Sequence, residues 1–240
     1  MSTRLQTYFG ASADIWENSS TQQHKLGTKA ETADGRVFRY VKAGATALVP
    51  GKLYDAPATA ANHSNIAVAS AAAIGATTVT VTLGATAATA NQYSEGYLVV
   101  NDATGEGYTY QIKSHPAADA SASLVLTLED PIKVALTTSS EVTLVHNQYN
   151  GVVIHATTEV SISVGAAVQA VTATYYGWLQ TRGVCSLLCN ATTGIGLGVA
   201  ASDTTNAGGG EISDGILTDI GYQVAAGVAT EYNPVFLNID

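Results

Sequence analysis

Residues 76–83 read ATTVTVTL. Threonine and valine alternate through Thr78, Val79, Thr80, Val81 and Thr82, so an extended chain turns one set toward a core and the other toward water. The same run makes a poor helix, because β-branched side chains lose rotamer freedom against the preceding turn. Similar short runs follow: GYLVVND (96–102), GYTYQIK (107–113), SLVLTLE (123–129), IKVAL (132–136) and EVTLVHN (141–147). Turn-forming segments such as ATGEG and SHPAADAS separate them. This spacing predicts an antiparallel sandwich or barrel over residues 66–150.

The flanking sequence has the same character. DGRVFRYVKAG alternates between Asp34-Gly35 and Ala43-Gly44, and ALVPGKLYDAP reads as strand, Pro50-Gly51 turn, strand. Residues 151–240 hold further strand candidates: GVVIHA, TEVSISVG, VQAVTATYYGWLQTRGVCSLLC, ISDGILTDIGYQVA and YNPVFLNID. The expectation is an all-β chain: an antiparallel β-barrel or sandwich body from residues 35–56 plus 151–240, with 66–150 inserted as a second β unit. Residues 57–65, PATAANHSN, read as a linker, and residues 1–34 as an extended N-terminal arm with at most a short turn of helix. No tandem repeat stands out.

The chain has 240 residues, 46% of them hydrophobic, which is too apolar for a disordered body. No run of about 18 apolar residues occurs, so no transmembrane helix and no membrane partner is expected. The N-terminus lacks the apolar core of a secretory signal.

Charge is unevenly spread. Residues 1–52 carry seven basic and four acidic groups, whereas residues 53–240 carry three basic and fifteen acidic ones. A basic leading segment on an acidic body points to a carboxylate-bearing protein partner. A nucleic-acid partner is not expected, since a net charge of −9 would repel phosphate. The candidate partner contacts are Lys25, Lys29, Arg36, Arg39 and Lys42, with the aromatics Tyr8, Phe9 and Trp16. Those aromatics either anchor in a partner or fold back onto their own body.

Catalytic and metal signatures are weak. Cys185 and Cys189 in CSLLC, if on a strand, share a face about 13 Å apart, too far for a disulfide or a common metal. They read as buried small apolar residues. GIGLG (194–198) lacks the following helix of a dinucleotide loop and the Lys-Ser/Thr of a phosphate loop. His24, His63, His115, His146 and His155 have no metal-ligand spacing. Asp102, Glu106, Asp214 and Asp219 sit in glycine-containing turns that could hold Ca²⁺ through carboxylates and carbonyls, although the EF-hand pattern is absent and acidic turns are common. There is no nucleophile elbow and no triad. The reading is a non-enzyme without catalytic residues, metal or cofactor.

Tyr176-Gly177-Trp178-Leu179-Gln180-Thr181-Arg182-Gly183 resembles the YGW-(V/L)-Q-T-x-G strand of structural proteins of tailed bacteriophages. IGYQVAAGVATEYNPVFLNID is similar to the ending of such proteins, and QHKLGT with FRYVKAGATALVPGKL looks like their opening strand pair. The resemblance covers residues 20–56 and 170–240. It implies a virion structural protein of the capsid decoration (cement) class, made in the host cytoplasm and carried on the capsid exterior. Such a protein is often a homotrimer that binds the major capsid protein of the mature lattice and has no catalytic residues. The extra unit at 66–150 leaves an alternative: a tail, baseplate or fibre-associated adhesin that binds host glycans through Tyr93, Tyr97, Tyr108 and Tyr110. A third reading is a β-rich virion hydrolase.

Overall fold

The computed structural model describes residues 7–8, 14–157, 161–203, 206–215 and 218–240. Along the chain, β1 (Thr7–Tyr8), β2 (Lys29–Glu31), β3 (Val37–Ala43) and β4 (Leu53–Asp55) come first. Next are β5 (Ile66–Ala67), β6 (Thr78–Thr82), β7 (Tyr97–Asp102), β8 (Thr109–Ser114), β9 (Ser123–Leu128) and β10 (Glu141–Val145). The last group is β11 (Asn150–Ile154), β12 (Ser163–Ala167), β13 (Tyr176–Leu188), β14 (Gly198–Ala201), β15 (Gly210–Ile212), β16 (Asp219–Gln223) and β17 (Tyr232–Asn238). Among the described residues, helix is limited to two 3₁₀ turns, Asp14–Trp16 and Ala61–His63. The chain is all-β, as the alternating runs predict.

The residues fall into two units, one drawn from Met1–Pro57 and Gln148–Asp240, the other from Ala58–Asn147. In the first unit β3, β11, β4, β12 and β13 form a ring, closed because β3 pairs with β13 as well as with β11. Its interior holds Val41, Leu48, Tyr54, Val152, Val164 and Leu179. β13 is long enough to serve twice. Residues from Tyr176 to Arg182 pair with β3, and those from Arg182 to Leu188 pair with β17. The second half starts another five-stranded ring, β13-β17-β16-β14-β15, closed by a parallel bridge from Cys189 to Gly210. Cys185, Leu187 and Cys189 face that core with Val199, Ile220, Val235 and Leu237.

The two rings share one topology. β3, β4, β11, β12 and the first half of β13 correspond to the second half of β13, β14, β15, β16 and β17. Even the closing pairs agree, since β11 joins β3 in parallel as Gly210 joins Cys189. A faint sequence echo accompanies the repeat: VQAVTATYY (168–176) and VAAGVATEY (224–232) share V-x-A-x-x-A-T-x-Y. The absence of a tandem repeat, expected from sequence, is therefore corrected at the level of topology.

A recurrent arch connects the strands. Leu48 and Val171 exchange backbone hydrogen bonds (2.8 and 3.2 Å), as do Thr193 and Gly227 in the second ring. The residue three places after each bridge has positive φ: Gly51, Thr174, Gly196 and Thr230. Gly51 also sits under the Tyr232 ring, 2.5 Å from where a Cβ would stand, so only glycine fits.

The second unit uses the same arches. Ala72 pairs with Leu136 and Ala88 with Ala118. Its sheet runs β5-β10-β7-β8-β9-β6 and is nearly closed by a Val68–Val81 bridge. The halves β5-β6-β7 and β8-β9-β10 are related by a pseudo-twofold, each reading strand, arch, strand, arch, strand. IKVAL, expected as a strand, is the arch through Leu136, because its backbone is drawn to Ala72 rather than to a neighbouring ladder. Leu98, Ile112, Leu124, Leu126 and Leu144 fill this core. The presumed linker is corrected too. His63 is fully buried, bonded through Nδ1 to the Tyr93 hydroxyl and through Nε2 to the Thr86 carbonyl at 2.8 Å.

Candidate functional site

The basic residues around β3 divide by strand parity. Arg36, Phe38, Tyr40 and Lys42 share one face, and Arg39 lies on the other with Val41 and Ala43. On the first face the Arg36 guanidinium lies 5.5 Å from the Phe38 ring centre, and Lys42 Nζ lies 5.7 Å from that of Tyr176. Between them Phe38, Tyr40 and Trp178 pack with Ile15 and Ala30. Tyr40 and Trp178 meet edge to face at 5.0 Å.

The N-terminal segment covers this cluster. Ser19 bridges to Tyr176, Gln169 Nε2 donates to the Glu17 carbonyl at 2.6 Å, and the Tyr40 hydroxyl donates to Glu17 Oε1 at 3.1 Å. Burial and the adjacent Glu17 carboxylate push the Tyr40 phenol up. In the 3₁₀ turn it is Ile15 that anchors, whereas Trp16 is 55% exposed. Tyr8 lies on β1, and Phe9 lies outside the described residues.

Arg39 is occupied within the chain. It grips the Asp240 carboxylate through Nε (2.6 Å) and Nη2 (2.7 Å) and donates from Nη1 to the Gly27 carbonyl (3.0 Å). Arg36 uses its Nε on Asp34 at 2.7 Å, and the Thr32 hydroxyl, followed by Arg36, holds the Asp34 carboxyl low. Lys25 is exposed in a turn, and Lys29 is half-buried on β2. The cations are brought near one another, but they do not form one open patch.

A different surface emerges on the second ring. Val184, Phe236 and Tyr222 are direct cross-strand partners on β13, β17 and β16, and all three point outward. Tyr232 and Val224 are exposed as well. Beside this row lies a groove of about 440 Å³ lined by Arg36, Pro50, Gly51, Gln180, Val184 and Tyr232, among others. Sequence reasoning missed this face. Its signal was present in PVFLN and VCSLLC, where apolar residues occupy both parities of a strand, which marks a strand apolar on both sides.

Possible reaction centres resolve into structure. Asp55, His155 and Ser163 meet, yet Asp55 is the hub: His155 Nδ1 is 2.7 Å from Asp55 Oδ2 and Ser163 Oγ donates to Oδ1 at 2.9 Å. His155 Nε2 faces the Ser202 carbonyl at 3.1 Å, so the ring is held between two acceptors and is not set to activate the serine. Burial pushes the Cys185 thiol up to about 12, and Cys189 is raised for the same reason. Neither is an activated nucleophile. His63, His115 and His146 surround Tyr93, at ring distances of 5.6, 5.7 and 4.6 Å. Among the described residues no group of three His, Cys, Asp or Glu could hold a metal, and no helix is long and apolar enough to cross a membrane. No family model, curated protein or solved structure matches the chain.

Proposed function

We propose that this protein is a virion structural protein that binds the outer surface of a mature capsid lattice as a homotrimer and stabilises it. The observation that carries the reading is the row Val184–Phe236–Tyr222, an exposed apolar face on an acidic β scaffold. Such a face, left wet in a free monomer, has the anatomy of a protein–protein contact. The phage assignment itself rests on the resemblance at YGWLQTRG and the C-terminal segment. A protein that binds the expanded lattice and not its precursor stabilises the expanded form by linkage, and several weak contacts per trimer multiply into firm attachment. Of the basic contacts, Arg36, Lys42, Lys25 and Lys29 stay in the proposal with Trp16, while Arg39 serves the chain itself.

The test is a cryo-EM reconstruction of the virion. Density for this chain over the head lattice supports decoration, and density confined to the tail overturns it. Tyr93 and Tyr110 are buried in the core of the second unit, so of the four tyrosines only Tyr97 and Tyr108, each 43% exposed, favour the adhesin alternative, which predicts tail density and binding to host-surface glycans.

A further inference from the structure

We propose that the groove beside Arg36 docks an acidic, extended segment of the protein partner, with an apolar side chain in the groove, a carboxylate on Arg36 and an N–H donated to Gln180 Oε1. This deepens the reading above and rests on it for the partner being a capsid subunit.

Three observations converge on the groove. The first is its form. About 440 Å³ lies within the range of pockets that hold ligand groups, roughly 300–1,000 Å³. Pro50, Val184 and Tyr232 supply apolar walls, and Gly51 lets the Tyr232 ring close down against the arch.

The second is an unanswered acceptor. Gln180 is completely buried. Its Nε2 donates to the carbonyls of Arg182 (3.0 Å) and Val184 (3.1 Å), where β13 bulges against β3. This orients the amide, since the flipped form would set oxygen against two carbonyls. Gln180 Oε1 is then left without a hydrogen-bond partner among the described residues. Native interiors rarely leave such an oxygen unpaired, and an N–H arriving as the groove side chains over this buried amide shift aside would answer it.

The third is charge. The groove lining includes the Arg36 cation and no carboxylate. Asp34 takes only the Nε edge of Arg36, and the remaining guanidinium nitrogens have no acceptor among the described residues. The groove lining thus carries one cation, engaged by Asp34 on its Nε edge alone, and no acid of its own, which is complementary to a carboxylate.

Continuity favours a polypeptide over a small molecule. Val184 lines the groove and also begins the row to Phe236 and Tyr222, so a segment leaving the groove runs onto an apolar strip. A small ligand would leave that strip wet. Cys185 also lines the groove, but its buried, protonated thiol adds no covalent chemistry.

The experiment titrates the isotope-labelled full chain with acetyl-Asp-Leu-Asp-amide and with acetyl-Lys-Leu-Lys-amide, followed by NMR. Expected are saturable shifts at the Gln180 side-chain amide, Gly51 and Val184 with the aspartate peptide, and binding of the lysine peptide weaker by about tenfold or more. Arg36→Gln should weaken the aspartate peptide to a similar degree. Val184→Lys, at a half-exposed position that leaves the fold intact, should abolish binding. Equal binding of both peptides, shifts confined to other surfaces, or no saturable shift overturns the proposal. Self-association that Val184→Lys removes assigns the surface to a second copy and also overturns it. Co-sedimentation with mature heads separates the two readings. If wild type and Val184→Lys sediment equally, the groove proposal fails and decoration stands. If neither sediments while the peptide binds as described, decoration fails and the groove stands.

Discussion

Arg39 holds both carboxylate oxygens of Asp240, at 2.6 and 2.7 Å, and so ties β3 to the C-terminal residue 201 positions away. The pair is partly shielded and bidentate, which makes it stronger than an ordinary surface ion pair. Replacing Arg39 by Gln, or Asp240 by Asn, should cost about 1 kcal/mol and lower Tm by about 2–4 °C. A double variant that costs no more than either single one would verify that the two act on each other. Strict additivity in thermal melts would rule the coupling out.

The histidines around Tyr93 make the second unit acid-sensitive. His115 and His146 are held below the ordinary imidazole value of 6.5, chiefly by burial and further by neighbouring His63. Unfolded, both titrate near the ordinary value, so as pH falls below it the unfolded chain binds more protons than the folded one. The stability of this unit should be fully present above about pH 6.5 and fall as the pH drops through the depressed values. Denaturant unfolding at about pH 7.5 and about pH 5 measures the loss, and His146→Gln should reduce it. A flat profile in the wild type would contradict this account.

Two arches carry threonine where φ is positive, Thr174 and Thr230, both at 66°. A β-branched residue in that region costs about 1–2 kcal/mol. Thr230→Gly relieves the strain but loosens the unfolded chain, for a net gain of about 0.5–1 kcal/mol. The opposite change, Gly51→Ala, meets the Tyr232 ring and should destabilise by more than that gain. Calorimetry on the two variants gives shifts of opposite sign if the arch geometry is right.

In the second ring β14 and β15 are joined by residues 202–209, and the equivalent strands β4 and β11 of the first ring are joined by a connection that holds the entire second unit. β4 and β11 are hydrogen-bonded neighbours, with Val153 opposite Asp55 and Ile154 opposite Tyr54. The chain thus leaves and returns at adjacent strands. Replacing Ala58–Asn147 by a linker of about six Gly/Ser residues should leave the two rings folded, since short hairpin loops are the norm. An unfolded product, seen by circular dichroism, would show that the inserted unit supports the rings.

The fold class was legible because alternation of β-branched residues reports directly on two-faced strands, as at Thr78–Thr82. The arches were not, because their bridges use Leu48, Ala72, Thr193 or Gly227 with equal ease: a single backbone pair places little demand on the side chain. The candidate site was partly legible. The cations of β3 could be counted, but Asp240 as the partner of Arg39 depends on how the last strand closes the ring. Trp16 drew attention by size, yet Ile15 is the buried anchor, since a two-residue window does not reveal which side a 3₁₀ turn presents. The row Val184–Phe236–Tyr222 joins three separate strands. Outward parity can be read along each strand, but lateral adjacency follows only from register.

β13 has β3 on its first half and β17 on its second, both antiparallel to it. Tension applied along β13 therefore loads two hydrogen-bond ladders in shear, with the rings coupled in series through one backbone. A load applied to one ring is transmitted to the other through a single continuous strand rather than through a flexible joint.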